Sequence, residues 1–328
     1  MRVIRPIVAI VAILIAEALP PAAVAQEMPS DYAAALTALG RQGDFKDGVL
    51  RVGLPRRDLT VAIDGIRLPT PFGFSGWIAM TPGDHGTHVM MGDLVLTEDE
   101  VNPVMSALLD RGLEVTALHN HFFWESPRMF YMHVHGHGEA GDLARRVKPA
   151  LDLMGTVSSR PAAAATGAPL PASTLDHARL AEIVGQEGET TGDVYKITVG
   201  RPDIDLRQMG ARINSRMGLN TWAAFTGGDQ MAVVAGDVAM LEQEVTPVLT
   251  AMRRYGLDIV AIHHHMTGSR PVVIFLHYYG KGPAGELARG VRAALDELGK
   301  HGPPAPRVRE TARPCSRFLP AVYFLRSL

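Results

Sequence analysis

Nine of the thirteen histidines fall in two short windows, 119–137 and 263–277. The first holds His119, His121, His133, His135 and His137; the second holds His263, His264, His265 and His277, with Tyr279 and Lys281 in the places of His135 and His137. Along a strand, residues i and i+2 point to the same side. His119 and His121 therefore project together, and so do His133 and His135. If the chain turns as a hairpin near Glu125, His119 falls opposite about Tyr131 and His133 becomes its diagonal neighbour. Such a diagonal spans about 7–8 Å between backbones, within reach of two imidazoles converging on one ion. Three imidazoles with an open position suit a divalent transition metal, whether zinc, copper or iron. The candidate ligands are His119, His121 and His133, repeated as His263, His265 and His277, with Glu125 and His135 as candidate catalytic acid/base groups. A competing reading has the same histidines bonding one another, the backbone or a polar ligand in a half-buried groove.

Other pairs are weaker candidates. Asp93 and Asp237 each follow a glycine at the end of a strand candidate, where a carboxylate commonly fixes a turn. Trp77 and Trp222 read as core, with an aromatic wall for a ligand as the alternative. Arg56 and Arg201 suit a carboxylate or phosphate, although a surface ion pair is the commoner outcome. Ser126 lacks the glycines of a nucleophile elbow, which argues against a serine hydrolase. Gly112, His119, His121 and Glu125 partly match a cupin metal motif, but the glycine stands one residue too far away.

These residues sit in a duplicated unit, and repeats decide architecture before any single motif does. Gly92-Asp93 recurs 144 positions later as Gly236-Asp237, and the same shift carries Gly112 to Gly256, Pro127 to Pro271 and His133 to His277. Upstream the shift is 145, pairing Trp77 with Trp222 and Gly43 with Gly188, so the first copy has one extra residue after Thr81. The copies run over 30–154 and 174–300, joined by an Ala/Pro-rich linker at 155–173. In the first copy a helix at 32–39 is stopped by Gly40. Strands are expected at 49–54, 59–66, 76–81 and 88–96. Thr97 and Glu100 have capping-box spacing, but Pro103 favours a helix that starts later, with Asn102 as its cap. Strands at 113–122 and 129–135 and a helix at 140–153 complete the copy. The expectation is an α+β fold: two homologous modules, each a mainly antiparallel sheet with helices, packed as a pseudo-two-fold pair.

The termini differ from the modules. Arg2 and Arg5, an apolar run from Ile7 to Ile15 and Ala23-Val24-Ala25 read as a signal peptide over 1–25, cleaved before Gln26. The apolar run is too short to span a bilayer, so no stable membrane insertion is expected after cleavage, and the protein is placed in the periplasm or secreted. Residues 301–328 are rich in Pro and Arg and are expected to be poorly ordered. They hold the single cysteine, Cys315, which has no partner for a disulfide. The chain is 47% hydrophobic and 20% charged, an ordinary globular balance. The formal charge of −2 is the sum of about +1 in the leader, about +4 in the tail and about −7 between them. An acidic body argues against nucleic acid as a partner. No nucleotide cofactor is expected, and the expected ligand is a small polar molecule.

The run from His119 through Phe122-Phe123-Trp124-Glu125-Ser126-Pro127-Arg128 to His133-Val134-His135-Gly136-His137-Gly138 resembles a known family. So does Gly92-Asp93-Leu94-Val95-Leu96 leading into Glu98 to Val104. Both are similar to the LppY/LpqO family of exported bacterial proteins, a tandem domain of unknown function, across about residues 30 to 300. The resemblance implies export and duplication and brings no reaction. The second copy departs from the pattern at Glu125, Arg128 and His135. One working site in the first copy and a reduced second copy are therefore expected.

Overall fold

The computed structural model describes residues 26–157 and 167–300. The leader, Cys315, the C-terminal tail and residues 158–166 of the linker lie outside the described residues. In the first copy the order is α1 (Ser30–Leu39), β1 (Asp44–Lys46), β2 (Val49–Pro55), β3 (Val61–Ile63), β4 (Ile66–Leu68), β5 (Ser75–Pro82) and β6 (His88–Thr97). Then come α2 (Glu98–Leu109), β7 (Glu114–His119), β8 (Glu125–Ser126), β9 (Met129–Gly138) and α3 (Ala140–Leu153). After β10 (Ala168–Pro169), the second copy runs α4 (His177–Val184), β11 (Gly188–Thr191), β12 (Val194–Gly200), β13 (Leu206–Gln208), β14 (Ala211–Ile213) and β15 (Asn220–Gly228). It ends with β16 (Met231–Leu241), α5 (Val245–Arg254), β17 (Asp258–His263), β18 (Val273–Gly282) and α6 (Ala284–Leu295).

Each copy builds a six-stranded antiparallel sheet, ordered β1-β2-β5-β6-β9-β7 in the first and β11-β12-β15-β16-β18-β17 in the second. The α+β expectation holds. One face of each sheet buries the apolar stripes of that copy's helices. Leu143, Val147, Ala150 and Leu151 of α3 pack with Val104 and Leu108 of α2 over Met90, Leu94 and Val134. The opposite faces meet the other copy.

Two features differ from the sequence reading. The stretch 59–66 is not one strand but the β3–β4 hairpin, because Asp64 and Gly65 both have positive φ (47° and 73°). An Asp-Gly pair in that conformation makes the tight turn whose twist matches its strands. Met209-Gly210 does the same between β13 and β14 (45° and 78°). The second correction is the start of α2, at Glu98 rather than after Asn102. Glu100 accepts the Thr97 backbone N–H at 2.8 Å and both terminal nitrogens of Arg56 at 2.7 and 2.9 Å. That buried pair fixes the first turn, and the local preference of Pro103 gives way to it. Arg56 and Arg201 are thus not surface ion pairs: each is buried against a carboxylate of its own copy, Glu100 or Glu244.

The two small hairpins are exchanged arms. Phe72 and Phe74, beside the β3–β4 arm, pack with Val194, Ala224 and Val233 of the second sheet. The β13–β14 arm returns the contact, setting Leu206, Ala211 and Ile213 against Val49, Ala79 and Met91. Phe72 and Leu206 are fully buried at this seam, and each such side chain contributes roughly 1.5–3 kcal/mol. The described end of the linker adds to the first arm, with Ala168-Pro169 pairing in parallel with Ile66-Arg67. Reciprocal contacts of this kind are those of a two-fold interface within one chain. No helix among the described residues is long and apolar enough to cross a membrane.

Candidate metal centre

The site is written into single rows across each sheet. In the first, Gly53 faces Trp77, Trp77 faces Asp93, and Asp93 faces His133. In the second, Thr198 faces Trp222, Trp222 faces Asp237, and Asp237 faces His277. Directly opposed residues share a face. Each copy therefore presents tryptophan, carboxylate and imidazole in one line toward its partner. His119 pairs with Tyr131 on β9, so His133 is its diagonal neighbour, with ring centroids 5.1 Å apart. His121 lies past the end of β7 and stacks on Tyr131 (3.2 Å); His265 stacks on the equivalent Phe275 (3.3 Å).

All six candidate ligands, His119, His121, His133, His263, His265 and His277, converge at the seam between the copies. His119 stacks on His263 across it, at 3.8 Å. The ring contacts of His121 with His277 and of His133 with His265 also cross the seam and outline two trios. His119, His121 and His277 stand at 5.1, 5.1 and 3.5 Å from one another. His263, His265 and His133 repeat the arrangement at 5.2, 5.3 and 4.1 Å. The trios are not isolated, because His119 stands as near His133 (5.1 Å), and His263 stands nearer His277 (4.8 Å) than its own trio partners. Each trio takes its His-x-His pair from one copy and its third imidazole from the other. The structure thus brings the histidines of both copies together at one seam.

Ligand atoms within 4.8 Å of one another occur in three overlapping groups: His119, His121, His277; His119, His133, His263; and Asp237, His263, His265. The backbone groups that orient two of these imidazoles are duplicated as well. The Nδ1 atoms of His133 and His277 lie 3.3 and 3.1 Å from the carbonyls of Gly92 and Gly236. Donation of Nδ1–H there leaves Nε2 as the free lone pair, the usual way a ligating imidazole is oriented. His265 Nε2 lies 3.4 Å from an Asp237 oxygen. The other nine ring nitrogens of the six histidines are buried without a hydrogen-bond partner among the described residues. At about 1–3 kcal/mol for each buried unsatisfied group, nine would rival the whole net stability of a domain, about 5–15 kcal/mol. A donor set of this kind fits a metal ion.

Burial disfavours the charged imidazolium, so every member of the cluster is shifted down. His133 falls to about 4 and His277 to about 3, both chiefly through burial. His119, His121, His263 and His265 are driven lower still, first by burial and then by their neighbouring histidines. At neutral pH the six rings are neutral, the form that binds metals.

The cluster opens on a cavity of about 610 Å³ lined by His121, His265 and His277. Around it stand Trp77, Trp222, Asp93 and Asp237, with Arg51 and its equivalent Lys196. Asp93 and Asp237 lie within strands β6 and β16 and not at turns, which corrects the turn-fixing role expected of them. Burial raises the Asp93 carboxyl to about 7 and holds that of Asp237 well above the usual carboxylate range. Trp77 and Trp222 are half-buried walls rather than core. Glu125 and His135 are not brought into the cluster. Glu125 accepts the Met129 backbone N–H at 3.1 Å and is raised to about 7 by burial, outside the cavity lining. His135 is buried one row from His133, facing Met91 and Glu114. Arg51 and Lys196 were missed because the repeat changes residue type there, although the 145-residue shift aligns them.

Residues 33–153 and 178–297 match the family described as "Domain of Unknown Function (DUF1259)". No curated protein matches the chain. Among solved structures, the chain is similar to EtuB from Clostridium kluyveri at 9% identity, covering 77% of this chain and 88% of that one, with a TM-score of 0.18. A trimeric bacterial microcompartment shell protein, PduB, follows at 10% identity, covering 76% and 86%, also with a TM-score of 0.18. Scores this low carry no argument about fold or function.

Proposed function

Since the chain belongs to that family, the Domain of Unknown Function (DUF1259), whose description carries no reaction, we propose a function from the site itself: an exported protein with a transition-metal centre shared by its two copies. The centre holds two ions, one per trio, through His119, His121 and His277 and through His263, His265 and His133. The observation that carries this reading is the set of nine buried, partnerless ring nitrogens beside two imidazoles aligned by carbonyls. Imidazole donors with a neighbouring carboxylate suit zinc, copper or iron. Three protein ligands would leave a position open for water or substrate, and three of the six imidazoles, His121, His265 and His277, line the cavity. Metal-assisted chemistry on a small polar molecule follows from that opening. A carrier that binds such a molecule without turnover would draw on the same cavity. Export rests on the leader at 1–25 and on the resemblance to the LppY/LpqO proteins.

Elemental analysis of untagged protein, after chelation and reloading with zinc, tests the centre. Two equivalents per chain are expected, with one lost in His121→Ala. Metal binding should also raise the melting temperature, because an ion that binds only the folded state stabilises it by mass action. Protein that takes up no stoichiometric zinc, copper or iron, and melts at the same temperature with and without them, would overturn the proposal.

A further inference from the structure

We propose that the cavity is an oxyanion site, in which Arg51 and Lys196 grip a carboxylate or phosphate group of a small molecule lying over the metal centre. The inference deepens the metal reading and rests on it only for what lies beneath the ligand.

Arg51 and Lys196 occupy the same position in the two copies, one row beyond the tryptophans. The Arg51 guanidinium lies 4.1 Å over the Trp77 ring, and the Lys196 ammonium 4.2 Å over Trp222. Among the described residues neither cation has a carboxylate within ion-pair distance. Arg56 and Arg201, by contrast, are each saturated by two carboxylates. An aromatic face holds a cation in place electrostatically without neutralising it or taking its N–H donors. Arg51 spends one donor on the Arg216 carbonyl at 2.5 Å, leaving the rest of its planar fork, which matches carboxylate and phosphate geometry.

The electrostatics agree with that geometry. Three cations, Arg51, Lys196 and Arg216, line the cavity together with Asp93, Asp237, Glu187 and Glu189. Burial and then the charge of Arg51 bring Lys196 down to about 8, while burial and then the charge of Arg216 bring Arg51 to about 10. Asp93 and Asp237 offset part of this, but both sit one row nearer the histidines. There Asp237 is already engaged by the Leu276 N–H at 3.1 Å and by His265. Ions in the trios would add further positive charge. An entering oxyanion relieves this repulsion, and at about 610 Å³ the cavity falls in the range of small-molecule sites, roughly 300–1,000 Å³.

The test uses Trp124→Phe protein, because Trp124 is exposed (67%) and outside the cavity, so that Trp77 and Trp222 become the fluorescent reporters. Metal-loaded and chelated samples are titrated with inorganic phosphate, succinate and glucose as a neutral control, and metal content is measured on the same samples. At least one oxyanion should give a saturable response and glucose none. Arg51→Gln and Lys196→Gln should each weaken the oxyanion at least tenfold at unchanged metal content. In the unsubstituted chain, the same oxyanion should slow acylation of Lys196 by acetic anhydride, read by mass spectrometry, which needs no variant to fold. Absence of both a saturable response and protection of Lys196 overturns the inference, as does an affinity indifferent to both substitutions. A chain without metal that still binds through Arg51 and Lys196 keeps the inference and removes the metal reading alone.

Discussion

At the scale of the residue, the site depends as much on Gly92 and Gly236, whose carbonyls face His133 and His277, as on the histidines. Gly92 lies inside β6, and a Cβ there would stand 2.8 Å from Val134 Cγ1 and 2.9 Å from both Ile78 Cγ2 and the Trp77 carbonyl. Its own carbonyl orients His133. Gly92→Ala should therefore destabilise the metal-free protein by about 1–3 kcal/mol, the usual cost of overpacking, in a urea titration. It should also weaken metal binding about 10–100-fold, as loss of a partner that orients a ligating imidazole does. Gly53→Ala is the control: a Cβ at Gly53 meets nothing within 4 Å, and its effect should stay within about 0.5 kcal/mol. Equal losses in the two variants would remove the steric argument. Gly92-Asp93 falls inside the strand expected at 88–96, yet Asp93 reads from the sequence as a carboxylate closing that strand. Read as turn punctuation, the dipeptide hides that glycine clears a close approach while aspartate faces the cavity. The histidine diagonal, in contrast, followed from strand periodicity alone.

At the scale of the element, the two copies share a device that the sequence half discloses. Thr97 and Glu100 announced a cap, but nothing local shows that Arg56, forty-four residues earlier, donates to the same carboxylate. Glu100 and Arg56 are 1% and 4% exposed, so removing one partner strands a buried charge. Glu100→Ala should cost about 3–5 kcal/mol in equilibrium unfolding. Glu244→Ala should cost a similar amount, because Glu244 accepts from Arg201 and from the Leu241 N–H in the same way. Lys148→Ala, which breaks the exposed Lys148–Asp152 pair, should change stability by less than about 1 kcal/mol. A loss of the same size in all three would show that the buried pairs contribute nothing special. The arms were legible in a different measure. Asp64-Gly65 is a strong hairpin signal inside a stretch that otherwise reads as one strand, whereas Met209-Gly210 gives only the glycine. That both hairpins leave their own sheet for the other copy is a tertiary fact that apolar periodicity does not encode.

At the scale of the whole molecule, duplication and site meet at one seam. The shortest contacts between histidines, His119 with His263, His121 with His277 and His133 with His265, all join the two copies. Sequence order pairs His133 with His119 and His121, and the hairpin does bring them close, yet the shorter ring contacts of His133 and His277 run across the seam. Periodicity could place each imidazole on a face but not choose between the two faces that meet there. Ion counting in double variants separates the possibilities. If the trios cross, His121→Ala and His277→Ala remove the same ion, so the double variant keeps one equivalent of zinc per chain. His121→Ala with His133→Ala, both within the first copy, then loses both ions. If each copy held its own ion, the outcomes would be reversed: the cross-copy pair would lose both and the same-copy pair only one. Circular dichroism of each metal-free variant separates loss of the centre from loss of the fold. The crossed result would also explain why Tyr279 and Lys281 replace His135 and His137 without disturbing the centre. Lys281 instead joins Asp64 of the first arm at 2.9 Å, and Tyr279 is buried among that arm's side chains. Those positions of the second copy thus contact the first arm, along the same seam on which both trios lie.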